Sequence, residues 1–249
     1  MSETLIGKRI AVLDQGFLEL QDVMPHPAAG VSPDTAIASA ARVSFMGESK
    51  GDEKDAKLIH YLMKHAHTSP FEMVEFKFRV KAPLITYWQW IRHRTFAYQS
   101  VNSQSGRYTE FDEDEFYIPA VWRRQSPSNK QASLGEVETA EGEELTRDLI
   151  AFYKEGFSLY EKALAAGVSR EMARLFLPAF AVYYTWIVKV DLHNLFGFLR
   201  LRMAGDAQYE IRAYAEAMYY EFVKPLAPVA SAAFEDYILK PNGIAVHTA

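Results

Sequence analysis

The chain has 249 residues, of which 49% are hydrophobic, and a formal net charge of −5. That hydrophobic share is ample for a packed core and too high for a disordered chain. The negative balance argues against non-specific binding of nucleic acid through a basic surface. The chain contains no cysteine, which excludes disulfides, thiolate nucleophiles and cysteine-ligated zinc or iron–sulfur sites.

The first part of the chain predicts strands followed by two helices. Short apolar pieces separated by turn residues predict one or two strands in the first thirty residues or so. Ser32-Pro33-Asp34 has the composition of a helix start, and we expect that helix to run to about Val43. Residues 52–67 have an amphipathic pattern that places Leu58, Tyr61 and Leu62 on one helical face. The N-terminus lacks the apolar run of a signal peptide, and no window of about eighteen apolar residues predicts a membrane span. We therefore expect a cytoplasmic protein.

The rest of the chain mixes strands and helices. Residues 74–82 alternate apolar and charged side chains, which predicts a half-buried strand, and Pro83 opens a short aromatic helix. Residues 109–134 read as an irregular surface excursion and residues 135–166 as one long helix. A short helix at 169–177, a strand at 179–190 and two or three helices at 191–239 follow. We expect one α+β domain over residues 1–249, with a mainly antiparallel sheet flanked by helices.

A basic triplet, Arg92-His93-Arg94, follows the aromatic helix. Gln89 and Arg92 are three residues apart on that helix, so we expect them to share a face. An amide beside a guanidinium suits a ligand that combines a nucleobase with a phosphate. The alternative is that the triplet only complements the negative end of the helix dipole.

The polar loop after this triplet is a candidate anion site. It supplies small hydroxyl and amide donors, flexible backbone and a second arginine, which together can surround a phosphate. The residues concerned are Ser100, Asn102, Ser103, Ser105, Gly106 and Arg107. An ordinary polar surface loop is the alternative explanation.

A histidine-rich segment and two arginine pairs are weaker signals. No pair among His60, His65, His67 and Glu72 has the i, i+4 spacing of helical zinc sites. We therefore expect polar contacts to a ligand there and no metal. Arg170 and Arg174 lie one turn apart, and Arg200 and Arg202 point to different helical faces, so at most one of each pair need face a site. The sequence has no nucleophile-elbow, GxGxxG or Walker pattern.

Taken together, these segments resemble the flavin-dependent thymidylate synthase family. The chain has RHR at 92–94, SGRY at 105–108, ARVSF at 41–45, HTSPFE at 67–72, REMARLFLP at 170–178 and LRLRMAGDAQYEI at 199–211. The resemblance spans about residues 35 to 220. Two features depart from the family: ten residues separate Arg94 from Ser105 where a shorter spacer is common, and Ser103 replaces a usual glutamate.

The resemblance implies methylation of dUMP to dTMP. Methylenetetrahydrofolate would supply the carbon, and FAD reduced by NADPH would supply the hydride, in sites shared among the subunits of a homotetramer. The absence of cysteine fits this chemistry, because the unrelated thymidylate synthase attacks the pyrimidine ring with a cysteine. The altered loop leaves open a non-catalytic paralogue that binds FAD or nucleotide. Nucleic-acid binding through the basic triplet is a third possibility, disfavoured by the net charge.

The resemblance also implies roles for individual residues. The FAD contacts would be Ser44, His67, Ser69, Glu72, Arg92, His93, Arg94, Asp191 and His193. The dUMP contacts would be Gln89, Arg92, Ser103, Gln104, Ser105, Gly106, Arg107, Arg174 and Arg202. Arg202 would be the catalytic residue, because a fixed positive charge beside the uracil favours its ionisation at N3. Gly197 would stand where some relatives have a side chain that touches the flavin.

Overall fold

A five-stranded antiparallel sheet forms the centre of the protein. The computed structural model describes residues 5–45, 51–97, 100–113 and 115–246. The sheet strands are β1 Arg9–Val12, β2 Gly16–Met24, β3 Glu75–Pro83, β4 Val101–Ser103 and β7 Tyr183–Asp191. Their order across the sheet is β1-β2-β3-β7-β4. A separate hairpin consists of β5 Arg123–Gln125 and β6 Ser133–Glu136.

Ten α-helices surround the sheet within the described ranges. They are α1 Pro33–Arg42, α2 Asp52–Lys64, α3 Leu84–Trp90, α4 Arg94–Ala97, α5 Thr139–Ala165, α6 Arg170–Ala173, α7 Leu192–Arg202, α8 Tyr209–Met218, α9 Lys224–Leu226 and α10 Pro228–Phe234. A π-helical turn at Tyr219–Val223 joins α8 to α9, and another at Glu235–Leu239 extends α10. Among these helices, none is long and apolar enough to cross a membrane.

The main core lies between one face of the sheet and the helices. On β3, Phe76, Phe78 and Val80 are fully buried, whereas Lys77 and Arg79 are exposed. This alternation follows from the period of two in a strand. The buried side chains join apolar residues from β7, α1, α2, α7, α8 and α10 in one cluster. The predicted α+β class, with an antiparallel sheet flanked by helices, is confirmed.

A smaller core lies under α5, on the other side of the start of β7. Phe116, Tyr153, Phe157 and Tyr160 pack there with Val182. Phe116 also forms a β-bridge to Val182. The irregular segment 109–134 is therefore attached to the folded domain through this core.

Three local predictions differ from the structure. The long helix begins at Thr139 and not at Gly135, because the preceding residues pair with β5 and Gly135 adopts a left-handed φ of 69°. The aromatic helix ends at Trp90, which places Arg92 beyond it. Tyr61 is 52% exposed and packs on the ring of His65 at 4.4 Å. The predicted helix start at Ser32 is confirmed, since its side chain accepts from the Thr35 N–H at 3.1 Å.

Candidate active site

Aromatic packing fixes the end of α3 against β7 and α7. The indole of Trp90 lies 5.3 Å from Trp186 and 4.8 Å from the ring of Phe198. His93 follows the helix and packs on the same Phe198 ring at 4.9 Å. The short helix therefore delivers Gln89 and His93 to the C-terminal end of α7.

Arg202, at the end of α7, donates from Nε to Nε2 of His93 at 2.8 Å. An acceptor nitrogen carries no proton, so this contact requires a neutral imidazole with its proton on Nδ1. Burial and then the charge of Arg202 lower the pKa of His93 to about 4. His93 therefore orients the guanidinium without neutralising it. Within the described ranges, the terminal nitrogens of Arg202 make no hydrogen bond.

Gln89 donates its amide to Oε1 of Gln208, and Gln208 donates in turn to Oε2 of Glu210 at 2.7 Å. Glu210 is buried at the start of α8. Gln89, His93, Arg202 and Gln208 are called the helix cluster below. Neither Gln208 nor Glu210 is among the site residues predicted from the sequence. Both lie in a segment that carries the resemblance, but their spacing gave no chemical signal.

The edge strand β4 holds the first part of the polar loop. The Tyr184 hydroxyl donates to Oγ of Ser103 at 3.0 Å and lies 2.5 Å from the carbonyl oxygen of Gln104. The backbone N–H of Gln104 donates to the Thr185 carbonyl at 2.8 Å. Ser103, which replaces the usual family glutamate, is thus tied to β7. The longer spacer before it includes α4, and its residues 98–99 lie outside the described ranges.

The second part of the loop brings Ser105, Gly106 and Arg107 beside Arg174, and these four residues are called the loop cluster below. Oγ of Ser105 accepts from the N–H of Arg107 at 3.3 Å. A Cβ on buried Gly106 would lie 2.5 Å from the Phe111 ring and 3.6 Å from Cδ of Arg174. Two exposed guanidinium groups and a hydroxyl suit a phosphate.

A third feature is an apolar cleft of about 260 Å³ between α2, α7 and α10. Phe196 and Phe234 both line it, with their rings stacked at 4.2 Å. The lining residues with polar side chains are Thr68, His193, Arg200 and Asn242. A Cβ on Gly197, which also lines the cleft, would meet no atom within 4 Å. An apolar cleft with a few polar side chains fits the flat, hydrogen-bonding ring system of a flavin.

The other predicted flavin contacts lie on turns and helix ends. Ser44, His67, Ser69, Glu72, Arg92 and Arg94 are all at least partly exposed. The turn Ser69–Met73 packs against α7, which places part of this set beside the apolar cleft. Among the described residues, no group of three or more histidines and carboxylates could hold a metal.

Asp191 has a structural role that was not predicted from the sequence. Its buried carboxylate accepts from the N–H of Asn194 at 2.9 Å and from Nδ2 of the same residue at 2.6 Å. Asp191 is therefore the N-cap of α7. Its contact with the cofactor stays a prediction.

In the described part of the chain, no hydrogen bond or ion pair joins the helix cluster to the loop cluster. Within the helix cluster Arg202 contacts His93, and within the loop cluster the backbone at Gly106 lies beside Arg174. The chain therefore presents a half-buried polar cluster and an exposed cationic cluster.

Comparison with known proteins gives a consistent result. The family model described as "Thymidylate synthase complementing protein" matches residues 29–229. The chain is 49% identical to the flavin-dependent thymidylate synthase of Thermus thermophilus, over 93% of this chain and 80% of that protein. It is 43% identical to the enzyme of the same name from Dictyostelium discoideum, over 92% and 74%. The UMP/dUMP methylase PolB of Streptomyces cacaoi, bound with 5-Br dUMP, superposes with a TM-score of 0.79 at 30% identity, over 92% and 98%.

Proposed function

The chain belongs to the flavin-dependent thymidylate synthase family, and from that membership we propose that it methylates dUMP to dTMP. Methylenetetrahydrofolate is the proposed carbon donor, and NADPH is the proposed source of the hydride carried by FAD. The observation that supports this best is the guanidinium of Arg202, held by a neutral His93 that lies four residues along the chain from Gln89. The segment around the end of α3 thus contributes both an oriented positive charge and an amide.

The uracil is the proposed partner of Arg202. A fixed positive charge near N3 stabilises the anion that forms when the N3 proton leaves. Because His93 accepts through Nε2, it holds Arg202 without competing for its terminal nitrogens. Gln89 lies in the same helix cluster and supplies an amide for the base or the ribose.

The dUMP phosphate is the proposed ligand of the loop cluster. Ser105, Arg107 and Arg174 supply a hydroxyl and two charges, and buried Gly106 lets the backbone approach closely. Ser103 and Gln104 hold the loop against β7.

The apolar cleft and the turns around it are proposed to hold FAD. His193 and the backbone at Gly197 would border its ring system, while His67, Ser69 and Glu72 lie on the adjacent turn. The cofactor, when bound, supplies the hydride chemistry, and the chain supplies orientation and electrostatics. Arg92 and Arg94, on either side of His93, are suited to the phosphates of the dinucleotide.

We further propose a homotetramer whose subunits share their active sites. Large apolar side chains exposed near Arg174 support an interface. Leu175 is 74% exposed, and Phe180 is 62% exposed with Trp88 packed on its ring at 5.0 Å. Because β7 contributes to the main core and Val182, directly before it, contributes to the smaller one, we propose a single domain.

An anaerobic assay tests the reaction directly. Protein loaded with FAD is mixed with NADPH, methylenetetrahydrofolate and dUMP, and dTMP is quantified. We expect dTMP to form and NADPH oxidation to depend on dUMP. A protein that holds FAD and binds dUMP but forms no dTMP would be the non-catalytic paralogue instead. A parallel arm with UMP measures whether the ribose 2′-hydroxyl is tolerated, as the name of the Streptomyces relative suggests for that protein.

A further inference from the structure

A chain of hydrogen bonds runs from a buried carboxylate to the substrate-facing amide of Gln89. Oε1 of Glu210 accepts from Arg123 at 2.6 Å and from the Tyr117 hydroxyl at 3.0 Å. Oε2 of Glu210 accepts from Nε2 of Gln208 at 2.7 Å, and Oε1 of Gln208 accepts from Nε2 of Gln89. Glu210 is only 4% exposed, so its place in this chain is fixed by the surrounding protein.

The charge on Glu210 sets the direction of the hydrogen bonds that link Glu210, Gln208 and Gln89. Burial raises the pKa of this carboxyl, but hydrogen bonds from Arg123 and Gln208 outweigh burial and leave the pKa below its ordinary value. An ionised carboxylate only accepts hydrogen bonds. Gln208 must therefore turn its NH2 group toward Glu210 and its carbonyl oxygen toward Gln89. Gln89 in turn must donate its own NH2 group to Gln208.

A glutamine amide that is not held has two orientations of nearly equal shape, which exchange a donor for an acceptor. The hydrogen bonds that run from Glu210 through Gln208 allow Gln89 only one of these two orientations. Among the described residues, no other partner occupies the carbonyl oxygen of Gln89 or its second N–H, so both are available to a ligand. The carbonyl oxygen selects a donor on that ligand, either the N–H of a pyrimidine or a ribose hydroxyl.

We propose that Gln208, backed by Glu210, is a positioning residue that fixes the amide of Gln89 with its carbonyl oxygen available to the nucleotide. This rests on the proposed function, which makes dUMP the ligand of Gln89. Neither residue touches the substrate in this account. Their effect on dUMP passes entirely through Gln89.

Gln208 is the better position to test, because Glu210 also anchors Arg123 and Tyr117 and its replacement would disturb the excursion. Gln208→Met keeps the length of the side chain and removes both polar ends. In the FAD-loaded enzyme we expect the Kd and KM for dUMP to rise about tenfold, the consequence of one weakened hydrogen bond. FAD content and kcat should stay within about twofold of wild type, and the melting temperature within about 4 °C.

A double-mutant cycle separates positioning from a general structural role. Gln89→Leu removes the amide that Gln208 is proposed to orient. In that background, adding Gln208→Met should have no further effect on dUMP binding, because both changes act on one interaction. The matched control is Gln131→Met, an exposed glutamine that borders the same surface cleft as Gln208 and should bind dUMP like wild type.

Three results would overturn the proposal. The first is a wild-type Kd for dUMP in Gln208→Met, and the second is an equal loss from Gln208→Met in the presence and absence of Gln89. The third is loss of dUMP binding together with loss of FAD. Failure of the wild-type protein to bind dUMP would instead refute the proposed function. The two failures are therefore distinguishable in one set of titrations.

Discussion

The helix cluster and the loop cluster use similar residue types but differ in how firmly their side chains are held before a ligand binds. In the helix cluster, Arg202 and Gln89 each make a hydrogen bond to another half-buried side chain, which sets their orientation before any ligand arrives. In the loop cluster, Arg107 is 63% exposed and contacts Glu171, itself 52% exposed, at 3.3 Å. Exposed ion pairs of this kind constrain little. The base site is thus preorganised, whereas the phosphate site gains its order from the ligand.

This difference predicts which kinetic quantity the arginine of each cluster controls. Preorganised charge acts on the transition state and therefore on turnover. A flexible anion site contributes binding to the ground state and the transition state alike, so its loss raises KM more than it lowers kcat. The variants below test the division, from the largest expected effect to the smallest.

Arg202→Ala should cause the largest loss. We expect dTMP turnover to fall on the order of 100- to 1,000-fold, as when other preorganised electrostatic groups are removed. FAD should be retained, which absorbance of the bound flavin after gel filtration measures. Arg147→Ala, at an arginine of α5, is the matched control. Undiminished turnover in Arg202→Ala would remove the catalytic role of this residue and with it the functional contrast between the clusters.

Gly106→Ala should have the largest effect in the loop cluster. The new Cβ would lie 2.5 Å from the ring of Phe111, so the ring or the loop must move, at a stability cost of about 1–3 kcal/mol. We expect the Kd for dUMP to rise at least about tenfold, as measured by calorimetric titration, with a smaller change in kcat. Gly205→Ala is the control, because a Cβ there meets nothing within 4 Å. Adding Phe111→Leu should restore part of the binding. If dUMP binds normally to Gly106→Ala, the close approach at this glycine is not needed.

The parts of the fold that followed from sequence are those governed by short-range rules. The alternation that predicted β3 and the Ser-Pro-Asp start of α1 both act over a few residues. The predicted start of α5 at Gly135 was wrong, because this residue belongs to β6. That strand exists only through its pairing with β5. The partner of Gln89 lies 119 residues away and that of His93 109 residues away. The family resemblance identified the individual site residues. Contacts between residues so far apart in the chain, however, cannot be predicted from sequence spacing.

The protonation state of His93 provides a test of the hydrogen bond that holds Arg202 in the helix cluster. Its pKa is about 4 in the folded protein against an ordinary 6.5, through burial and then the charge of Arg202. Between these values the unfolded chain takes up a proton that the native state does not. This residue therefore contributes a loss of stability as the pH falls from 6.5 toward 4. NMR titration of the imidazole should give the low midpoint. Arg202→Ala should raise it only in part, because burial remains. A midpoint near the ordinary value in the wild type would contradict the proposed hydrogen bond.

Glu171→Gln should have the smallest effect and is the strictest test of the loop cluster. The pair with Arg107 is exposed on both sides, so unfolding free energy should change by less than about 1 kcal/mol. Removing the carboxylate frees Arg107 for the phosphate, and dUMP affinity should rise by up to about threefold at low salt and less at high salt. Glu53→Gln, which breaks the exposed pair with Lys57 on α2, controls for the loss of one surface charge. A large loss of dUMP binding in Glu171→Gln would mean that the ion pair organises the loop. The phosphate site would then be as preorganised as the base site.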